Sequence, residues 1–313
     1  MTPDTHPAGS VAPSIQTPEA QAIFEAHAAR FGAASDAPGG PAILAADFTR
    51  YEPVYRAAKV ACLRLGFIAS DAECLAQAFE VRAARLGFDP AAWPDEPADF
   101  GLRPWPRDDA FARCPASLGL YAVLPDAAWV ARLARAGVPT LQLRFKSDDA
   151  AAVLREVRAA IAAVAGTGAR LFINDHWQAA IACGAYGVHL GQEDIDTADL
   201  DAIRAAGLRL GLSTHGYAEM LRADALGPSY IALGAVFPTT LKRMATAPQG
   251  TARLAAYARL LRHHSLVAIG GIDLAALPEV LASGVGSVAV VRALVAAASP
   301  EAEVARFQAA LGR

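Results

Sequence analysis

What this 313-residue chain lacks narrows its class before any motif is considered. No apolar run is long enough to span a bilayer, so no membrane-spanning helix is expected. Neither sign of charge is in excess: 28 lysines and arginines against 31 aspartates and glutamates leave a net charge of −3. That balance offers no basic surface for nucleic acid or an anionic membrane, and neither is expected as a partner. The opening Met1-Thr-Pro-Asp-Thr-His-Pro has no charged region followed by an apolar one, so a secretory signal is not expected. Cysteines are few and scattered (Cys62, Cys74, Cys114 and Cys183), with no CxxC pair. This argues against a disulfide framework or a structural zinc site, and for reduced, mostly buried thiols in a cytoplasmic protein.

What is present is abundant apolar matter. At 54% hydrophobic residues the chain can bury a large core, and its length allows one large domain plus an appendage. Residues 1–16, rich in Pro, Ala, Gly and Ser, are expected to be disordered. Thr17-Pro18-Glu19 has the order of a helix start: a capping hydroxyl, a proline in the first turn, an acid near the positive end of the dipole. Gly32 is the expected stop, and a loose stretch runs from there to Pro41. Two further helices are expected over Tyr51–Leu65 and Ser70–Leu86, the second opened by the capping-box pattern Ser70-Asp-Ala-Glu73. Gly87–Pro115 is rich in Pro and Trp and reads as an irregular connector. The expected division is a tail over 1–16, a helical extension with its connector over 17–115, and a catalytic domain over 116–313. No catalytic constellation falls in the extension.

From Leu118 onward, strand-like apolar runs alternate with helical stretches. The runs are Gly119–Leu124, Thr140–Lys146, Arg170–Asp175, Gly187–Gln192, Arg209–His215, Tyr230–Phe237, Leu266–Ile272 and Ser287–Leu294. Strands alternating with helices pair in parallel. Eight such units in the last two thirds of the chain predict an α/β fold, a (β/α)8 TIM barrel with a small N-terminal helical appendage. An open doubly wound sheet is the alternative. The barrel is favoured because polar residues cluster at the ends of so many runs, and those ends form the catalytic mouth of a barrel.

Those polar residues carry the chemistry. In Gln142-Leu-Arg-Phe-Lys146 the alternation of a strand points Gln142, Arg144 and Lys146 one way and Leu143 and Phe145 the other. The polar set then faces the lumen, where two cations are unfavourable unless they meet an internal acid or an anionic ligand. A phosphate suits them. Asn174 and Asp175 end the third run and Asp194 lies just past the fourth. Asp175 alone reads equally as a helix cap before Trp177. Two carboxylates on adjacent strand ends suit Mg²⁺ shared with phosphate oxygens. His189 and Gln192 fall in the fourth run, and His189 reads as a packed, hydrogen-bonded histidine rather than a metal ligand. Ser213-Thr-His215 offers hydroxyls. Phe237-Pro-Thr-Thr-Leu-Lys242 offers two threonines and a lysine on a loop that can close over a ligand, or on an ordinary connector. Gly270-Gly271 ends the seventh run, where glycines let phosphate approach backbone N–H groups.

Taken in order, these segments resemble the thiamine phosphate synthase family, over roughly Leu118 to Ala298. The resemblance runs through Gln142-Leu-Arg-Phe-Lys, Leu171-Phe-Ile-Asn-Asp, Gly187-Val-His-Leu-Gly-Gln-Glu-Asp, Gly211-Leu-Ser-Thr-His, Phe237-Pro-Thr-Thr-Leu-Lys, Ala247-Pro-Gln-Gly and Val267-Ala-Ile-Gly-Gly-Ile. It implies condensation of an aminopyrimidine carrying a hydroxymethyl diphosphate with a thiazole phosphate, or a carboxylated form of it, to give thiamine phosphate and pyrophosphate. The chemistry implied is dissociative: pyrophosphate leaves, and the thiazole nitrogen captures the pyrimidine cation. By resemblance Gln142, Arg144, Lys146, Asn174, Ser213 and Lys242 hold the pyrimidine diphosphate. Among these, Arg144, Lys146, Lys242 and Ser213 are expected to be catalytic. Asp175 and Asp194 would bind Mg²⁺, the expected cofactor. Thr239, Thr240, Gly271, Val291 and Arg292 would surround the thiazole phosphate. The expected partners are these small molecules, and a homo-oligomer is compatible with the sequence.

Two positions depart from the family pattern. The family has Thr-x-Thr-Lys after the sixth strand, where this chain has Thr239-Thr240-Leu241-Lys242. The eighth strand usually ends Val-Ser-Ala-Ile, where this chain has Val291-Arg292-Ala293-Leu294. Both lie on the thiazole side. Rival readings are a thiazole tautomerase-like barrel, which needs no pyrophosphate site, a non-catalytic binding or regulatory barrel of the same pathway, and another phosphate-binding barrel enzyme.

Overall fold

A computed structural model describes residues 17–32, 52–239 and 246–312 of the chain. The tail at 1–16, most of the loose stretch after Gly32, and Thr240, Leu241 and Lys242 lie outside the described residues. The chain divides into two compact units, Met1–Pro94 and Asp95–Arg313.

The first unit is built on three helices, α1 (Pro18–Phe31), α2 (Pro53–Arg64) and α3 (Ala69–Leu86). Thr17 caps α1 as the sequence implies, its hydroxyl accepting from the Ala20 N–H at 3.2 Å, and Gly32 ends it at φ 82°. The capping box expected at Ser70 does not form. Helix α3 starts one residue earlier, with Ile68 at the cap, so Ser70 already lies inside it. Glu73 is drawn instead to α2, where it meets Lys59 and the Tyr55 hydroxyl, each at 2.5 Å. A half-exposed pair of this kind adds little stability by itself. The unit is held by aromatic packing: Trp93 lies against Phe31, Phe67 and Phe79, with ring centroids 4.5–5.6 Å apart.

The second unit is a closed parallel barrel with its strands in sequence order, β1-β2-β3-β4-β5-β6-β7-β8. Its elements are β1 (Gly119–Leu124), α4 (Ala127–Arg135), β2 (Thr140–Leu143), α5 (Ala150–Val164), β3 (Arg170–Asn174), α6 (Trp177–Cys183), β4 (Gly187–Leu190), α7 (Gln192–Ile195), α8 (Leu200–Ala205), β5 (Arg209–Thr214), α9 (Tyr217–Ala225), β6 (Tyr230–Leu233), α10 (Gly250–Leu260), β7 (Leu266–Ile269), α11 (Leu277–Ala282), β8 (Ser287–Val290), α12 (Arg292–Val295) and α13 (Pro300–Ala310). Seven of the eight strands end before the apolar run that predicts them. Apolarity continues past the last ladder bond: Ala235 and Val236 are buried although β6 stops at Leu233. Gln192, expected in the fourth strand, opens α7 instead, because the chain turns at Gly191. No helix among the described residues is long and apolar enough to cross a membrane.

Two strand glycines shape the lumen. A Cβ on Gly211 would lie 2.1 Å from the Tyr230 ring, and one on Gly187 would lie 2.6 Å from the Phe172 ring. Their bare backbones admit the rings of Tyr230 and Phe172, which pack with Tyr121 at centroid separations of 5.1–5.9 Å. These rings fill the barrel interior together with Val123, Ala232, Val267 and Ala289.

Segment 95–115 belongs to the barrel unit. Arg107 donates to the Asp224 carbonyl at 2.7 Å and meets its carboxylate at 3.2 Å, while His264 Nε2 reaches the same carboxylate at 2.7 Å. All three side chains are at most 5% exposed. The Phe111 N–H donates to the Gly227 carbonyl at 2.8 Å, fixing the segment before β6, at the end of the barrel remote from the strand C-termini.

Candidate active site

The C-terminal ends of the strands open into a cavity of about 750 Å³. Every described residue named from the sequence lines it: Gln142, Arg144, Lys146, Asn174, Asp175, Asp194, Ser213, Thr239, Gly271, Val291 and Arg292. Thr240 and Lys242, named with them, lie outside the described residues. Leu143 and Phe145 do not line the cavity, in keeping with strand alternation through Gln142, Arg144 and Lys146. The ladder stops at Leu143, so Arg144 and Lys146 stand on the loop beyond β2. The Arg144 N–H still donates to the Leu124 carbonyl at 2.7 Å and fixes where that loop begins.

Asp175 is not the cap of α6. That position belongs to His176, and no side chain caps the helix. Asp175 takes the left-handed backbone conformation, φ 62°, the only described residue other than glycine to do so. Such a conformation is disfavoured for an L-residue and is least unfavourable for Asp and Asn. It is held by two backbone bonds, from the Asp175 N–H to the His189 carbonyl at 3.0 Å and from the Trp177 N–H to the Asp175 carbonyl at 2.8 Å. The fold thus fixes Asp175 without using its carboxylate, a local strain of the sort found at ligand sites.

Asp194 stands at the third position of α7, and its Oδ2 accepts from the Gly191 N–H at 3.0 Å. The turn back from Gly191 brings it to Asp175. Asp175 remains open to the cavity, but partial desolvation and then the Asp194 carboxylate raise its pKa above the ordinary carboxylate value. Arg144 pulls the other way without cancelling this. Two acids so placed favour a shared cation. Among the described residues no cluster of three or more His, Cys, Asp or Glu could hold a metal. The donor set is therefore two carboxylates, too few for a closed cage and suited to Mg²⁺ that completes its shell with water and phosphate oxygens.

Another part of the cavity lining offers backbone. Gly271 takes φ 67°, and a Cβ there would lie 2.7 Å from the Pro238 carbonyl oxygen and 2.7 Å from the Phe237 Cβ. The β6–α10 loop and the end of β7 approach so closely that no side chain fits between them, and the chain passes bare past Thr239. Val291 and Arg292 follow β8, with Arg292 opening α12 and exposed.

Several functional groups escape a reading of the sequence. His189 is buried as expected, but it links the lumen to the site: Nδ1 meets the Tyr230 hydroxyl at 2.7 Å and Nε2 meets the Ser213 hydroxyl at 2.8 Å. Thr214, a candidate hydroxyl, spends its proton on the Ala232 carbonyl at 3.0 Å. His215 pairs with Glu219 at 2.7 Å, an i, i+4 relation within one strand-to-helix turn that the sequence carries openly. Glu193 and Asp273 also border the cavity.

Comparison with known proteins agrees with this geometry. The chain is 57% identical over 192 residues to thiamine-phosphate synthase of Neisseria meningitidis serogroup A, an alignment covering 61% of this chain and 94% of that one. It is 58% identical over 184 residues to thiamine-phosphate synthase of Cronobacter sakazakii, covering 59% of this chain and 88% of that one. Its barrel superposes on thiamine phosphate pyrophosphorylase of Pyrococcus furiosus with a TM-score of 0.56 at 26% identity, covering 62% of this chain and 96% of that one. The sequence model described as thiamine monophosphate synthase matches residues 120–294, more than half of the chain. On that match, with relatives that are thiamine-phosphate synthases and hence transferases, the chain belongs to the thiamine monophosphate synthase family.

Proposed function

We propose that this chain joins the diphosphate of an amino-substituted hydroxymethylpyrimidine to a thiazole phosphate, releasing pyrophosphate and forming thiamine phosphate. The observation that carries this reading is one mouth holding both Arg144 with Lys146 and the paired acids Asp175 and Asp194. Cations and acids side by side match a ligand that is anionic and brings its own metal. A tautomerase, which handles no pyrophosphate, has no use for the acidic pair.

In this reading Arg144 and Lys146 bind the diphosphate as charge-assisted donors, with Asn174 beside them. Lys242 is assigned to the same group by sequence position. Asp175 and Asp194 would hold Mg²⁺, which when bound would neutralise charge on the departing pyrophosphate. As pyrophosphate leaves, the guanidinium and ammonium groups stabilise the negative charge developing on it, while Gln142 and Ser213 keep the pyrimidine in place. Thr239, Gly271, Val291 and Arg292 position the thiazole phosphate, so that its ring nitrogen attacks the cationic methylene carbon. No protein nucleophile is required. Arg292 stands where the family pattern has serine, and it lines the cavity on an exposed side chain whose guanidinium fork suits a phosphate.

The test is the purified chain with both substrates and Mg²⁺, followed for thiamine phosphate and pyrophosphate together. Both products, lost on chelation and regained with Mg²⁺, support the reading. Binding of the diphosphate without product favours a non-catalytic barrel.

A further inference from the structure

A continuous line of hydrogen bonds crosses the barrel beneath the cavity. Gln142 Nε2 donates to the Tyr121 hydroxyl at 3.1 Å. The Tyr121 and Tyr230 hydroxyls lie 2.7 Å apart. The Tyr230 hydroxyl meets His189 Nδ1 at 2.7 Å, and His189 Nε2 meets the Ser213 hydroxyl at 2.8 Å. The line begins and ends on side chains that border the cavity, and its middle members are buried.

Such a line has a direction. Each hydroxyl has one proton, and a neutral imidazole has one donating and one accepting nitrogen. Burial drives both phenols well above their ordinary pKa, so each keeps its proton. Once Gln142 donates to Tyr121, Tyr121 passes its own proton to Tyr230, and Tyr230 passes its proton to His189 Nδ1. His189 must then carry its proton on Nε2 and donate to Ser213. At the two ends the consequence is fixed. Gln142, whose NH2 is turned to the tyrosine hydroxyls, is left with its amide oxygen as an acceptor on a side chain that borders the cavity, and no described residue donates to that oxygen. Ser213, having accepted from His189, has its O–H proton left to give.

We propose that Tyr121, Tyr230 and His189 are positioning residues whose one-way hydrogen-bond chain holds Gln142 as an acceptor and Ser213 as a donor, so that the site selects a ring bearing an exocyclic amino group. This rests on the pyrimidine reading of the site above. A ring that donates through an amino group and accepts through a ring nitrogen satisfies both ends. Replacing the amino group by an oxo group sets oxygen against oxygen at Gln142, and the buried chain resists reversal because every member would have to turn together.

Two measurements on the full chain test it. In ¹⁵N NMR, His189 should be neutral with its proton on Nε2. A proton on Nδ1, or a doubly protonated ring, overturns the proposal without reference to activity. Binding of the aminopyrimidine diphosphate is then compared with that of its oxo analogue. The unaltered chain should prefer the amino form by on the order of 10²-fold, the upper end of what leaving one buried hydrogen-bonding group unpaired brings about. Tyr230→Phe keeps the ring that fills the space at Gly211 but breaks the line, and should reduce the preference to about tenfold or less; Tyr121→Phe should do the same. An unchanged preference in either folded variant overturns the proposal. If the unaltered chain binds neither pyrimidine, the pyrimidine reading falls and the selectivity with it, while the His189 tautomer still decides the direction of the line.

Discussion

Asp175, just past β3, and Asp194, in α7, stand so close that partial burial and then the Asp194 carboxylate hold the pKa of Asp175 above its ordinary value, and no ion pair engages either acid among the described residues. Two acids so placed are an electrostatic liability in the chain alone, relieved by a cation or a proton between them.

Asp175→Asn tests that relationship cleanly, because Asn also tolerates the left-handed backbone that Asp175 occupies. The fold should persist, with melting temperature unchanged or slightly raised by relief of the repulsion. Turnover should fall on the order of 10²-fold or more, the scale of losing one preorganised electrostatic group. Initial rates titrated against Mg²⁺ check this, and a wild-type Mg²⁺ response in the variant would remove the metal role from Asp175.

Arg292→Ser restores the residue usual in the family. If the guanidinium grips the thiazole phosphate, its loss removes a charge-assisted bond worth about 1.5–3 kcal/mol, so KM for thiazole phosphate should rise roughly tenfold or more. KM for the pyrimidine diphosphate should stay the same. A fall in the thiazole KM would mean that Arg292 obstructs the pocket.

Asp224 sets a pH limit on stability. Burial alone would raise its pKa, but His264 and Arg107 together hold it below its ordinary 3.8. The folded chain therefore gives up this proton at lower pH than the unfolded chain does. The stabilisation is complete above about pH 4 and is lost as pH falls further, through the folded value. Asp224→Asn should lose about 3–5 kcal/mol at neutral pH, because buried Arg107 keeps its charge without a carboxylate. Denaturant melts at pH 7 and pH 3 should show the variant's deficit shrinking at the lower pH.

Removing residues 1–94 leaves a unit that retains Arg107 and its bonds to Asp224. Because the Neisseria relative aligns over 94% of its own length to 61% of this chain, the truncated chain should keep synthase activity within a few-fold. Removing residues 1–110 takes Arg107 as well and should lower the melting temperature by several degrees. Scanning calorimetry on the two truncations separates these effects.

The barrel was legible because its strands are apolar runs at an even spacing, and strand alternation correctly set Gln142, Arg144 and Lys146 apart from Leu143 and Phe145. What the sequence hid was mostly backbone and partnership. Nothing in Asn174-Asp175-His176 announces a positive φ, so a cap and a ligand looked alike. Ser70-Asp-Ala-Glu73 matched a capping box, but Glu73 had a stronger attraction to Lys59 across the helix pair, a contact between elements that no local pattern contains. Tyr121 and Tyr230 drew no notice, because a tyrosine in an apolar run declares its ring and conceals its hydroxyl. Only the closed barrel brings residues from β1 and β6 within 2.7 Å.

The two bare glycines of β4 and β5 reach beyond packing. By admitting the rings of Phe172 and Tyr230 they stopper the barrel beneath the cavity, which has a solid floor and no channel running down the lumen. A methyl group missing from Gly187 and another from Gly211 therefore set how deep the cavity can reach.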